Sequence, residues 1–411
     1  MLDLKFLRDH PDLVKKGVSA KGRDTDIVDE VLELDKKHRG MIQQTEELRA
    51  KRNTLSKDDI QESKELKNKL KDLEPQLKEI EEKLSATLNQ IPNLPAVDVK
   101  IGKGESENEV VKKWGEPTKF DFIPKDHLAL GIALGILDFE TGAKVTGSQY
   151  YYLYGDGALL ELALVRFALD LLVKEGFTPV ITPDLARSRF YLGTGYTPQG
   201  EEAQTYTINN SDLGLIATAE VTLAGKHADE VIPEAKLPLK YAGYSHCFRE
   251  EGGAYGKYSK GLYRVHQFTK VEMFVYCQPE ESDKMHDCLL SIEEKIYQAL
   301  GLPYRVLKMC SGDLGAMAAQ KYDVEVWMPG RGEYGEVTST SNCTDYQARN
   351  LNIKYKGKDG KNEFVHMLNG TAIATSRTII AILENYQQQD GSVKIPEVLQ
   401  SYLGKTVINK M

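Results

Sequence analysis

The stretch SHCFREEGGAYGKYSKGLYRVHQFTKVEMF, Ser245 to Phe274, opens on an apolar run that ends in Arg249, Glu250 and Glu251. Gly252, Gly253, Gly256 and Gly261 punctuate the tyrosine-rich segment that follows, and a second alternating run carries Arg264, His266, Phe268 and Glu272. Two runs of period two around a glycine-rich segment predict a hairpin with a long loop. Residues 264, 266, 268 and 270 then share one face. Arg249 set in a cleft would hold a phosphate through two parallel N–H bonds, a geometry that lysine lacks. An aromatic at 268 can stack on a purine.

Downstream, LNGTAIATSRTIIAILENYQ, Leu368 to Gln387, begins with small residues that permit close backbone approach. It continues into a helical pattern with Arg377 near its first turns, placed to hold the other end of a polyphosphate. From about Phe120 the chain mixes helical patterns with β-branched and aromatic runs such as TPVITP and YRVLKMC, so this part is α/β or α+β with a substantial sheet. Common alternatives fail on their motifs. The chain has no GxxxxGK[ST], no HExxH and no GxSxG, and the glycines of GTGYTPQG, Gly193 to Gly200, do not follow a plain strand. The eight histidines are scattered, and His246, His266 and His366 lie in strand-like runs where structural roles are expected.

Upstream, Val31 to Ile91 has a different character. Leu34, Met41, Leu48 and Leu55 recur every seven residues, and Leu66, Leu70, Leu73, Leu77, Ile80, Leu84, Leu88 and Ile91 form a second such run. The polar break SKDDIQES, Ser56 to Ser63, separates them. The simplest structure is two long helices folded back as an antiparallel coiled coil, each on the order of 40 Å long. So narrow a leucine strip cannot make a globular core, and the pair should project as an arm. Pro75 falls inside the second pattern, where a kink is expected. The prolines of IPNLP, Ile91 to Pro95, then end the helix.

Composition bounds the rest. The 411 residues are 41% hydrophobic and 28% charged, which suits a large globular protein of two domains. The formal net charge is −8, while Val31 to Ile91 carries 13 basic and 13 acidic residues, so nucleic-acid contact would have to come from a local patch. Five cysteines without a CxxC fit a reducing compartment, and the acidic N-terminus fits neither a secretion signal nor a presequence. A cytoplasmic protein is expected. The most apolar stretch, Ala158 to Val173, is broken by Glu161, Arg166 and Asp170, which makes it a core or interface helix and no membrane span.

The hairpin resembles the arginine-bearing motif 2 of class II aminoacyl-tRNA synthetases, about 245–274. GTAIATSR resembles motif 3, about 368–387, and EGFTPVITPDL resembles motif 1, about 175–185, with its proline at Pro183. The start MLDLKFLR, the leucine arm, IPNLP, the triplet Thr218 to Glu220, CFREEGGAYG, GLYRVHQFTKVEM and ENYQQQDGSVKIPEVL resemble the seryl-tRNA synthetase family in order and over essentially the whole chain.

The resemblance implies an α+β fold: an antiparallel-sheet catalytic domain over 101–411 and an N-terminal domain over 1–100 that bears the antiparallel two-helix arm, about 29–91. It implies ATP-dependent attachment of L-serine to serine tRNA through a seryl-adenylate, with selenocysteine tRNA as a further acceptor. Serine would be held by Thr218, Ala219, Glu220, Arg249, Glu272, Asn369 and Thr371. ATP contacts fall on Arg249, Glu250, Glu251, Val265, Phe268, Glu336, Val337, Thr338, Ser339 and Arg377. Arg249, Glu336 and Arg377 would be catalytic, and Glu336 with Ser339 would hold Mg2+. Arg49, Lys51, Arg52, Lys64 and Lys67 are the candidates for tRNA contacts, and motif 1 implies a homodimer. The family's usual E-I-S-S-C-S-N is Glu336-Val337-Thr338-Ser339-Thr340-Ser341-Asn342 here.

Two rivals fit part of this pattern. A class II-derived ligase that charges a carrier protein would lack the long arm. A catalytically dead coiled-coil adaptor would not need Arg249, Glu272, Glu336 and Arg377.

Overall fold

A computed structural model describes residues 1–56, 59–196, 205–251 and 261–410. The middle of the polar break, part of GTGYTPQG and the glycine-rich segment after Glu251 therefore lie outside the described residues. The chain divides into two compact units, Met1–Pro95 and Ala96–Met411.

In the first unit Asp3 caps a short helix, Leu4–Asp9, by accepting from the Phe6 amide at 2.8 Å. Two helices of 29 residues follow, α1 (Asp26–Thr54) and α2 (Ile60–Leu88). Leu34, Leu66, Leu70, Leu84 and Leu88 are buried, while Met41, Leu48, Leu73, Leu77 and Ile80 are half-buried along the same seam. Ion pairs give the direction: Lys83 reaches Glu30 at 3.8 Å, Arg49 reaches Glu74 at 2.9 Å and Lys51 reaches Glu62 at 2.8 Å. The end of one helix thus lies beside the start of the other, which makes the pair antiparallel. α2 runs through Pro75 as one helix, and the Gln76 side-chain amide donates to the Asp72 carbonyl at 3.0 Å in the turn that the proline disturbs.

The second unit is built on one eight-stranded sheet. Its strands, in chain order, are β1 (Glu109–Trp114), β2 (Thr178–Ile181), β3 (Leu239–Phe248), β4 (Gln267–Cys277), β5 (Tyr304–Lys308), β6 (Gln320–Met328), β7 (Glu333–Asn342) and β8 (His366–Ala374). Their order across the sheet is β1-β5-β6-β7-β8-β4-β3-β2. Every pairing is antiparallel except that of β2 with β3. Three helices, α3 (Asp156–Lys174), α4 (Ser282–Ala299) and α5 (Thr375–Tyr386), bury apolar residues in one core with the sheet. Leu160, Leu164 and Leu172 of α3, Leu289 and Ile296 of α4, and Ile379 and Ile380 of α5 meet Val271, Met273, Val324 and Ala372 of the strands there. In α3, Arg166 and Asp170 pair at 2.8 Å on the opposite, solvent-facing side.

β4 shows how one strand separates core from site. Val271, Met273, Val275 and Cys277 belong to the main core, while Phe274 and Tyr276 pack in a second cluster on the other face. Phe268, Lys270 and Glu272 lie on that other face by the period of two. The hairpin partner is β3, with Cys247 opposite Phe268 and Gly243 opposite Glu272. The second strand begins at Gln267, so Arg264 and His266 precede it. Gly261–Tyr263 make a single 3-10 turn, and the Arg249 amide donates to the His266 carbonyl at 2.9 Å to close the ladder.

Candidate functional site

A cleft and a buried polar cluster lie side by side on this second face. The first, about 470 Å³, is lined by Arg249, Glu251, Val265, Phe268, Glu336, Val337, Thr338, Ser339, Thr371 and Arg377, together with Tyr263, Lys270, Ala374 and Ser376. The Arg249 guanidinium lies over the Phe268 ring at 5.2 Å, and its Nε is buried with no hydrogen-bond partner among the described residues. Glu251 accepts from Arg264 Nε at 2.7 Å. Arg377, in the first turn of α5, pairs with the Glu336 carboxylate at 3.0 Å and also donates to the Glu336 backbone carbonyl at 3.2 Å. Burial pushes the Glu336 carboxyl up, but Arg377, Lys321 and Arg249 together outweigh this and hold it below the usual carboxylate range.

A bulge decides which residues of β7 face this cleft. Glu325 of β6 lies opposite Glu336, while Val324 lies opposite Thr338, so Val337 is the extra residue. In a plain strand Glu336 and Thr338 would share a face. The bulge instead turns the Thr338 hydroxyl to the core side, where it donates to Glu293 Oε2 of α4 at 3.0 Å, so Thr338 borders the cleft without offering its hydroxyl there. It also brings Ser339, three residues on, to the same face as Glu336. Asp323 lies opposite Ser339. Burial pushes the Asp323 carboxyl up to about 6, Lys321 opposes that shift and Glu336 adds to it. Glu250 is exposed and does not line the cleft.

Beside the cleft is a buried polar cluster, joined to it by Lys270 and Thr371, which line the cleft. Glu272 is 1% exposed, and its Oε2 accepts from Thr218 Oγ1 at 3.0 Å and pairs with Lys270. Thr371 lies directly opposite Glu272, and Lys270 Nζ donates to its hydroxyl at 3.3 Å. Glu220, 3% exposed, accepts from Gln347 at 2.8 Å, from Asn369 Nδ2 at 3.0 Å and from the Tyr196 hydroxyl at 3.0 Å. Burial pushes the Glu220 carboxyl up to about 7 and the nearby Glu272 charge adds to that, against the donors from Gln347 and Tyr196. Ala219 packs over Gly243 of β3, where an added Cβ would come within 2.7 Å of Leu223 and 3.1 Å of Ala219. Only a glycine there lets the Thr218–Glu220 segment approach the strand.

The comparisons with known proteins agree along the full length. Residues 1–95 match the family described as seryl-tRNA synthetase N-terminal domain, and residues 204–386 match the tRNA synthetase class II core domain (G, H, P, S and T). Serine–tRNA ligase of Dictyoglomus turgidum is 52% identical over 417 residues, covering 98% of each chain. That of Rubrobacter xylanophilus is 53% identical over 420 residues and 99% of each chain. The chain belongs to the seryl-tRNA synthetase family.

Solved structures of the family extend the likeness to the fold. The seryl-tRNA synthetase of Pyrococcus horikoshii complexed with ATP superposes with a TM-score of 0.93 at 41% identity, over 100% of both chains. The cytoplasmic serine–tRNA ligase of Naegleria fowleri in complex with AMP gives 0.89 at 37% identity, over 100% of this chain and 99% of that one.

Within this family member, several groups at the site carry no motif signal of their own. Tyr263 is held between two guanidinium groups, Arg331 at 4.4 Å and Arg377 at 4.8 Å from its ring. Lys270 shares the face of Phe268 and Glu272, a parity visible in the sequence. Gln347 and Tyr196 come from segments far from the hairpin in sequence, and only the folded chain brings them to Glu220. On the arm, Arg49 and Lys51 are paired with carboxylates of the other helix. Arg52, Lys64 and Lys67 are exposed and make no ion pair among the described residues.

The Glu220 environment has a measurable consequence. Its carboxyl takes up a proton near pH 7 when folded and near the usual carboxylate value when unfolded. The native state is therefore favoured fully below about pH 4.5, and this contribution is lost as pH rises through about 7. Denaturant unfolding should show that the intact protein loses on the order of 3 kcal/mol over this window relative to Glu220→Gln. Identical pH slopes for the two proteins would mean that Glu220 titrates as an ordinary carboxylate.

Proposed function

We propose that this protein attaches L-serine to serine tRNA in two steps at the site just described. The observation that carries the reading is the meeting of two unlike environments at Lys270 and Thr371, which line the cleft. One end gathers Arg249 and Arg377, the former with a buried donor still unpartnered among the described residues. The other end is a buried polar cluster of Thr218, Glu220, Glu272 and Thr371.

In the first step a serine carboxylate oxygen bonds to the α-phosphorus of ATP and the bond to the bridging oxygen breaks, releasing pyrophosphate. The nucleophile is already ionised at neutral pH, so no general base is needed. What the step requires is stabilisation of charge on the phosphoryl oxygens, which fixed guanidinium groups supply. Arg249 stacks on one face of Phe268, and the aromatic ring offers a platform for adenine. In the second step a terminal ribose hydroxyl of the tRNA attacks the acyl carbon and AMP leaves. Glu336 and Ser339, brought to one face by the bulge with Asp323 beside them, present oxygen donors that fit Mg2+, a hard ion that takes few protein ligands and completes its shell with phosphate and water. When bound, that ion would neutralise phosphate charge.

The reading predicts serine-dependent ATP–pyrophosphate exchange. Arg249→Ala should reduce it by a factor that corresponds to roughly 3–5 kcal/mol in the transition state. Exchange within tenfold of the intact protein would take Arg249 out of the reacting site.

The arm is proposed to select the tRNA. Arg52, Lys64 and Lys67 are free to meet phosphates, and Arg49 and Lys51 can exchange their exposed carboxylate partners at little cost because such pairs are weak. Replacing residues 29–90 by a short Gly/Ser bridge should leave serine activation intact and suppress tRNA charging. The salt slope of tRNA binding should fall by about 0.7–0.9 for every phosphate that the arm no longer neutralises. Equal charging with and without the arm would show that it serves another purpose. A carrier-protein ligase would not need this segment, and an adaptor would show no exchange.

A homodimer is proposed for the protein. Edge strand β2 is exposed, with Ile181 83% accessible, and Leu159 and Leu162 of the neighbouring helix α3 are 47% and 61% accessible. An open strand edge flanked by large apolar groups is a surface that proteins ordinarily cover. Light scattering at micromolar concentration should return twice the 46.1 kDa chain mass, and a monomer mass would remove the proposal. Five free cysteines, and no helix among the described residues long and apolar enough to cross a membrane, support action in the cytoplasm.

A further inference from the structure

We propose that Lys270 is the positioning residue that makes the pocket demand a side-chain hydroxyl. It does so by fixing the direction of the hydrogen bonds that Glu272 and Thr371 offer. The inference rests on the reading of this pocket as the serine site.

Lys270 is 6% exposed and stands on β4 two residues before Glu272, on the same face. Its ammonium pairs with Glu272 Oε2 and donates to Thr371 Oγ1 at 3.3 Å across the strand pair. An ammonium group has donors only, so both neighbours must accept from it. Thr218 donates to the same Oε2 at 3.0 Å, which leaves Glu272 Oε1 without a partner among the described residues. Thr371 Oγ1, having accepted from Lys270, keeps its own proton to give away, and the hydroxyl donates to no other described residue. Lys270 and Thr371 both line the cleft.

The pocket thus offers one open acceptor, Glu272 Oε1, beside one open donor, the Thr371 hydroxyl. A substrate atom between them must give one hydrogen bond and receive one. A hydroxyl does both. A methyl group does neither and leaves two buried polar groups unpaired, and a thiol does both weakly. Without the lysine, Thr371 is free to turn its proton toward the Glu272 carboxylate, and the two groups then satisfy each other. The preference for a hydroxyl should weaken in consequence. Discrimination is set here by the direction of bonds as well as by pocket size, since an oxygen and a methyl differ little in volume.

The test uses the full-length protein in amino-acid-dependent ATP–pyrophosphate exchange with serine, alanine and cysteine. Lys270→Met keeps the length of the side chain and removes the donors. The serine KM should rise on the order of tenfold to a hundredfold, with the ATP KM within about threefold of the intact protein. The ratio of kcat/KM for serine over alanine should fall by a similar factor. Lys270→Arg keeps donors and charge and should recover part of that ratio. Thr371→Val removes the hydroxyl at nearly constant shape, and its effect on the ratio should fail to add to that of Lys270→Met, because both act through one bond. An unchanged serine-to-alanine ratio in Lys270→Met, or additive effects in the double variant, would overturn the proposal. Should Lys270→Met fold poorly, seen as a parallel loss of ATP affinity, Lys270→Arg decides alone. A ratio above one-half of the intact value with normal ATP affinity supports the proposal, and a collapse equal to that of Thr371→Val overturns it. Absence of serine-dependent exchange in the intact protein is a separate result, and it would remove the serine reading itself.

Discussion

Glu220 and Glu272 lie inside the catalytic unit, 3% and 1% exposed, and the surrounding structure offsets what their burial costs. A carboxylate taken out of water without partners is destabilised by several kcal/mol, and two close together repel as well. Here each has its own set of donors: Lys270 and Thr218 for Glu272, and Gln347, Asn369 and Tyr196 for Glu220. These groups come from β4, β8, the segment before Glu220, the segment that follows the short helix Ser188–Thr194 and the short helix Tyr346–Leu351. A shift of any one of them by a residue would take a hydrogen bond or ion pair from a buried carboxylate. The register Glu272 to Thr371 and Glu272 to Gly243 is therefore fixed by charge on one face and by Val271, Met273 and Val275 in the core on the other. A slip of one position would exchange the two faces.

Much of this was legible in the sequence because it is local. The alternation of Gln267 to Cys277, the heptads of the arm and the small residues before Arg377 each carry their structure within a few residues. The exact place where the return strand begins was not, since Arg264 and His266 continue the alternating pattern but stand ahead of the ladder. The bulge at Val337 was hidden for a different reason. Alternation in Glu333–Asn342 looks regular, and only the register against β6 shows that Glu336 and Thr338 face opposite ways. That one extra residue turns the Thr338 hydroxyl toward Glu293 and puts Ser339 on the face of Glu336. A backbone irregularity of this kind is set by the partner strand, and nothing in the strand's own sequence announces it.

Gln347 and Tyr196 illustrate a second limit. A glutamine on a helix is an ordinary residue until a buried carboxylate lies 2.8 Å away. Lys270 differs from both. Its parity with Phe268 and Glu272 could be read from the chain, but a lysine in an alternating strand is usually at the surface with its head in water. The folded protein reverses that expectation because the even face of β4 is covered.

The cleft's other end solves the opposite electrostatic problem. Arg249, Arg331, Arg377 and Lys321 gather there, and repulsion among cations must be held in check when no anion is bound. Carboxylates and aromatic rings do this, with Glu333 paired to Arg331 at 2.9 Å and Asp323 to Lys321 at 3.3 Å. Glu336 accepts from Arg377, and Tyr263 presents its ring faces to Arg331 and Arg377. A ring face attracts a cation without occupying its N–H groups in the plane of the guanidinium. Phe268 does the same for Arg249. Arg249 is thus oriented by a contact that leaves its Nε donor available, and a phosphate bound there as proposed would not need to order it first. Fixed donors of this kind are worth more to a developing charge than mobile ones, because nothing has to reorganise when the charge appears. Placing the acids in the depth of the unit and the stacked arginines at the open cleft gives one site two dielectric regimes. On the proposed reading each regime suits the group it would receive: a small polar side chain in the first, a polyphosphate in the second.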